Sequence, residues 1–192
     1  MAIAIDVSVV EEGALTSEQA DTFLQLAIRC FADVTAEEVE EDFCRPPVAR
    51  VLAYAGEALV AGAEVFKRVV EYEGQVVTVG GFGPFTREDL RGQGIGARVC
   101  RAAMDYLREQ GCAIAFLSIG TEEEAGPFYA RLRFYERLGF RRLPGPFVYA
   151  NVRGELKEEG GGLIAPLGSM ELFERVLRGD APFALTPEPG YW

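Results

Sequence analysis

Arg91-Gly92-Gln93-Gly94-Ile95-Gly96 decides how this chain is read. The stretch follows a predicted strand and opens a predicted helix, Ala97 to Gln110. Alternating glycines strip side chains from a tight turn, so that backbone N–H groups crowd around one point. The helix beginning there adds its positive dipole end. Turn and helix together make a phosphate cradle.

Other cradles share this spelling. Gly92-Gln93-Gly94-Ile95-Gly96-Ala97 fits G-x-G-x-x-A, the dinucleotide fingerprint. That fingerprint needs its glycines directly after the strand of a first βαβ unit. Here Thr86-Arg87-Glu88-Asp89-Leu90-Arg91 intervenes, and several elements come earlier. A Walker A loop is absent, because no Gly-Lys-Ser/Thr follows. An ordinary glycine-rich loop is the remaining alternative.

Outward from the turn, periodicity predicts the other elements. Leu59–Tyr72 and Gln75 to about Phe85 form a long hairpin around Glu73-Gly74. Upstream lie a strand over 3–10 and a helix opened by Thr16, with Gln19 as its capping partner. The inner stripe of that helix is Ala20, Phe23, Leu24, Ala27, Cys30 and Phe31. A second, acidic helix over about 35–43 and a strand over 50–55 follow. Downstream, Val99, Ala103, Tyr106 and Leu107 form an inner stripe, and Gly111 stops the helix. Ala113–Ile119 reads as a strand covered on both faces. Pro127 suits the first turn of a helix ending at Gly139. Two strands, 140–143 and 147–153, flank Pro144-Gly145-Pro146. Gly160-Gly161-Gly162 reads as a flexible joint and 169–178 as a short helix.

Composition narrows the function classes. The chain has 192 residues, 49% of them apolar, which suits a globular fold. The net charge of −11 disfavours nucleic acid and anionic lipid as partners. Histidine is absent, which removes every Ser–His or Cys–His dyad. Cys30, Cys44, Cys100 and Cys112 form no metal spacing and read as reduced thiols of a cytoplasmic protein. No stretch is long enough to span a bilayer, and the start reads as a strand rather than a signal peptide.

Phe134-Tyr135-Glu136-Arg137-Leu138-Gly139-Phe140 supplies the second motif. With Arg91-x-x-Gly94-x-Gly96, and a strand–turn–helix–strand–helix order between them, residues 75–142 resemble the GCN5-related N-acetyltransferases. The resemblance implies an α/β (α+β) GNAT fold. Its central sheet would be mixed, mostly antiparallel and of about six to seven strands, with helices on both faces. The acyl-CoA-binding domain would be 1–153, with 154–192 an extension packed on it. The implied cofactor is acetyl-CoA, releasing CoA. Its pyrophosphate would meet the backbone of Gly92, Gln93, Gly94, Ile95, Gly96 and Ala97, and Arg91 would add a charge-assisted contact. Its pantetheine arm would pair with backbone near Pro84, Phe85 and Thr86, although Pro84 lacks an N–H.

The resemblance also implies that Tyr135 protonates the departing thiolate. Tyr129 is the runner-up; it points roughly 120° away on the same helix, so only one of the two can face the thioester. Many relatives place a glutamate where this chain has Phe82, so the proton acceptor is open. Glu71 and Glu73 lie at the far end of the hairpin, Glu122 is nearer, and the Trp192 carboxylate is a further candidate. Gly190-Tyr191-Trp192 loosely resembles the end of some aminoglycoside N-acetyltransferases. Six acids between Asp33 and Asp42 read as a solvated helix face or as an acidic rim. Together these features predict a small, cationic amine as acceptor. A CoA-binding module without turnover, a protein N-acetyltransferase and an acyl-carrying Cys44 stand as alternatives. A homodimer with swapped or shared strands would give the tail a role.

Overall fold

Glu73 and Gly74 turn the chain with both φ angles positive, 49° and 74°, as a tight two-residue hairpin turn requires. The hairpin arms are β3 (Ala58–Tyr72) and β4 (Gln75–Thr86), antiparallel from Tyr72↔Gln75 to Ala61↔Thr86. The computed structural model describes residues 4–31, 46–120, 126–151, 153–186 and 188. The acidic stretch 33–42, Cys44, Glu122 and Tyr191-Trp192 lie outside the described residues.

The remaining strands are β1 (Asp6–Glu11), β2 (Ala49–Ala55), β5 (Ile114–Ser118), β6 (Arg141–Arg142), β7 (Phe147–Ala150), β8 (Leu156–Glu159), β9 (Gly162–Pro166) and β10 (Phe183–Ala184). Seven form the main sheet in the order β1-β2-β3-β4-β5-β9-β6. Every pairing in it is antiparallel except β4 with β5. A second sheet, β10-β7-β8, was not anticipated. The supposed joint at Gly160–Gly162 instead leads from β8 into β9, which sits between β5 and β6.

The described helices are α1 (Ser17–Cys30), α2 (Ile95–Glu109), α3 (Gly126–Glu136) and α4 (Met170–Arg178). The Thr16–Gln19 capping box opens α1 as expected. Its buried residues are Phe23 and Leu26, whereas Leu24 is 58% exposed. Leu24 lies about 100° around the helix from Phe23 and so turns off the sheet. Phe23 and Leu26 pack with Leu52, Leu59 and Phe85. On the other face, α2 buries Val99, Ala103 and Leu107 against β1–β4, in one cluster with Leu132, Tyr135 and Phe140. A third cluster lies under α4, where Leu172 and Val176 meet Val79, Ile114 and Phe116. Helices therefore cover both faces.

Candidate functional site

The parallel neighbours β4 and β5 share only two register pairs, Val79↔Ile114 and Gly80↔Ala115. Beyond them β5 stays with β9, from Ile114↔Pro166 to Ser118↔Gly162, and leaves β4. Gly81–Thr86 therefore pairs with β3 on one side and, among the described residues, has an open edge on the other. The Ala113 N–H donates to the Thr78 carbonyl, which places the even-numbered backbone groups of β4 on the β5 side. The N–H and C=O of Phe82 and the C=O of Pro84 thus line the open edge. Pro84 forfeits a donor there, and its position breaks no bond to β3.

The glycine turn begins just past that edge. A short 3₁₀ turn, Glu88–Leu90, separates β4 from Arg91. Gly92 and Gly94 have φ near 80°, and Gly94 is the N-cap of α2, which starts two residues earlier than predicted. Its first N–H groups, those of Ile95, Gly96 and Ala97, have no partner within the helix. Arg91 is exposed and donates from Nε to the Thr86 carbonyl at 3.3 Å. That contact holds the turn against the end of β4. A Cβ on Gly96 would lie 3.3 Å from Thr86 Oγ1 and 3.7 Å from Phe134 Cζ. Gly96 thus admits a close approach of three elements.

Tyr135 is fixed by the way α3 ends. The Phe140 N–H donates to the Tyr135 carbonyl (3.1 Å) and the Gly139 N–H to the Glu136 carbonyl (3.0 Å). Gly139 has φ 95°. This is a Schellman motif, with Gly139 as its left-handed residue and the expected apolar contact between its two ends. The contact is Tyr135 against Phe140, ring centroids 5.6 Å apart. Phe140 meets Phe82 at 6.0 Å, and Tyr135 meets Phe134 at 5.0 Å. A row of four rings so links the open stretch of β4 to the glycine turn. Tyr135 is 9% exposed and Tyr129 47%, so of the two candidates only Tyr135 joins this cluster.

Phe82 points into the α2 face and is buried. Phe85 points the other way, against Phe23 at 4.9 Å and Phe31 at 5.8 Å. Its side chain belongs to the α1 packing and its backbone groups face β3, so of the expected trio only Pro84 and Thr86 turn backbone groups to the open edge. At the far end of the hairpin, Glu73 accepts from Arg175 Nε at 2.8 Å, well away from the turn. Sequence reasoning passed over a nearer carboxylate, Glu64. Arg50, Glu64 and Gly83 form one row across β2, β3 and β4. Arg50 bonds Glu64 at 3.5 Å and Glu12 at 3.3 Å, and lies 5.0 Å over the Phe23 ring. Burial pushes the Glu64 carboxyl above the ordinary carboxylate range, against the pull of Arg50. A signal was present: Glu64 is the one charged residue between Leu59 and Phe66.

These features fit a CoA thioester. The N–H groups at the start of α2, which have no partner within the helix, suit its pyrophosphate, and the open edge of β4 suits its amide-bearing arm. Among the described residues no group of three or more Cys, Asp or Glu could hold a metal ion, and no helix is long and apolar enough to cross a membrane.

The structure is similar to a GCN5-related N-acetyltransferase from Kribbella flavida at 20% identity, covering 78% of this chain with a TM-score of 0.54. This chain spans 37% of the length of that protein. It is similar to ElaA from Escherichia coli at 16% identity, covering 84% of this chain and 99% of that one, with a TM-score of 0.58. The ribosomal-protein-S18-alanine N-acetyltransferase from Escherichia coli shares 16% identity over 86% of this chain and 96% of its own, with a TM-score of 0.54. No curated protein matches. A family model for the acetyltransferase (GNAT) family matches residues 15–140, which span α1, the open edge of β4, the glycine turn and Tyr135. The chain therefore belongs to the GNAT family of acetyltransferases, enzymes that take an acetyl group from acetyl-CoA.

Proposed function

We propose that this enzyme acetylates a primary amine of a small cationic substrate, aminosugar-like or a polyamine, by direct attack. One observation carries the reading: the glycine turn, the open edge of β4 and Tyr135 converge through Gly96, Phe134 and the row of rings. Acetyl-CoA, the donor substrate, supplies an activated acyl carbon. The N–H groups of Gly92 to Ala97 bind its pyrophosphate, with Arg91 beside them, and the backbone of Phe82, Pro84 and Thr86 aligns its arm. The Phe82 N–H lies on the same edge and is aimed to polarise a carbonyl there. Tyr135, held by both ends of its Schellman motif, gives a proton to the departing sulfur.

The charge of −11 favours a cationic acceptor over an anionic one. The segment 154–192 serves the same domain as an extension, since β9 pairs with β5 and β6. Cys30, Cys100 and Cys112 are free thiols, which suits a reducing, cytoplasmic setting. A thiol-release assay with acetyl-CoA against polyamines, aminosugars and N-terminal peptides tests the reading. Turnover is expected with the small polycations. Turnover on peptides alone would assign the acceptor to protein, and CoA binding without turnover on any amine would make this a binding module. Phe82, buried where a carboxylate often stands, is the observation that favours the latter.

A further inference from the structure

We propose that Glu64, on β3, takes the proton of the incoming ammonium group, replacing a carboxylate that β4 lacks. The inference rests on the acetyl-transfer reading above.

Among the described residues, geometry leaves few other places for this function. Phe82 is turned into the α2 face and packed on Phe140. A phenylalanine there offers no proton acceptor, so the base must come from another position. The opposite face of the sheet carries the row Arg50–Glu64–Gly83. Gly83 stands between Glu64 and the open edge of β4, and it has no side chain to block the way. A Cβ built there meets no described atom within 4 Å, and Gly83 is partly exposed. From Glu64 to Gly83 is one strand spacing, about 4.8 Å, and the open edge begins there. A glutamate covers that span through one water molecule.

Its surroundings suit a base. Arg50 faces it from β2 and Glu12 from the turn after β1, while α1 presents the Phe23 ring and β4 presents Gly83. Arg50 is shared between the two carboxylates, so neither is fully neutralised by it. Burial raises the proton affinity of Glu64 in spite of Arg50, so its ionised form is a stronger base than an exposed glutamate.

The step balances as follows. The ammonium N–H bond breaks, and its proton passes through water to a Glu64 oxygen. The freed nitrogen lone pair forms the C–N bond to the acetyl carbon as the C–S bond breaks. Tyr135 gives its proton to the leaving sulfur, and the second proton carried by the new amide nitrogen returns to the Tyr135 oxygen through water. Glu64 then releases its proton to solvent, which restores the enzyme.

The test is the pH profile of kcat and KM for Glu64→Gln, alongside CoA affinity by calorimetry. The amide is expected to fold, because it keeps the shape of the glutamate and Arg50 retains Glu12 as an ionic partner. Loss of about 10²-fold in kcat is expected, with the acidic limb of the profile abolished and CoA affinity unchanged. Adding Gly83→Glu to Glu64→Gln re-sites a carboxylate one strand over, and recovery of about tenfold or more is expected. Gly83→Leu, which fills the gap while leaving Glu64 intact, should slow turnover without weakening CoA. Wild-type kcat and an unchanged acidic limb in Glu64→Gln would overturn the role of Glu64 alone. Failure of the wild-type enzyme to acetylate any amine would overturn the acetyl-transfer reading, and Glu64 with it.

Discussion

Tyr135 shows how one residue can be fixed twice. Its carbonyl closes the helix end through Phe140, and its ring packs on the same residue. Removing only the hydroxyl leaves both contacts in place. Tyr135→Phe is therefore expected to lower kcat by about 10²-fold with CoA affinity within about twofold, as read by thiol release and calorimetry. An unchanged kcat would remove Tyr135 from the chemistry. The buried thiols are a second case. Burial pushes Cys100 up to about 12 and Cys112 up to about 11, so both stay protonated at assay pH. Alkylation followed by peptide mass mapping should find both unmodified in the native protein and modified after denaturation.

Elements differed in how far the sequence revealed them. Glu73-Gly74 between two apolar runs announced the hairpin, because few pairs tolerate two positive φ angles. Thr16 and Gln19 announced α1 just as directly, through reciprocal bonds of 3.0 and 3.2 Å. Gly139 marked the end of the last family motif for a reason that is now physical: it alone in its turn sits at φ 95°. Gly139→Ala should cost about 1–2 kcal/mol, the penalty for a side chain in that region. Thermal melting should show a fall of about 2–8 °C, and turnover should fall further than stability alone explains. The strand β9 was hidden. Leu163-Ile164-Ala165 is a short buried run, but three glycines before it and Pro166 after it read as loop. Its identity depends on β5 and β6, about 20 or more residues upstream, and no local pattern carries that. The open edge of β4 was hidden likewise, since divergence between two strands leaves no mark on either. Glu64 escaped notice because its relevance arises across strands, from Gly83.

The whole molecule sets the charge and the order of assembly. With −11 in all, the surface draws polycations and resists the anionic donor, so donor binding falls to the local N–H groups of the turn. For the cationic acceptor proposed above, KM should therefore rise as ionic strength goes from about 0.05 to about 0.5 M, while KM for acetyl-CoA should not rise in parallel. A buried contact, from Arg68 to the Leu185 carbonyl at 2.6 Å, ties the late chain to β3. The place of β9 has a consequence in time. During synthesis β5 emerges with one apolar flank unfilled, and its permanent neighbour is made some forty residues later. Until residue 166 is free of the ribosome, Ile114–Ser118 presents an unpaired edge to whatever is nearby. The interval between those two strands is thus one in which the nascent chain is exposed to mispairing.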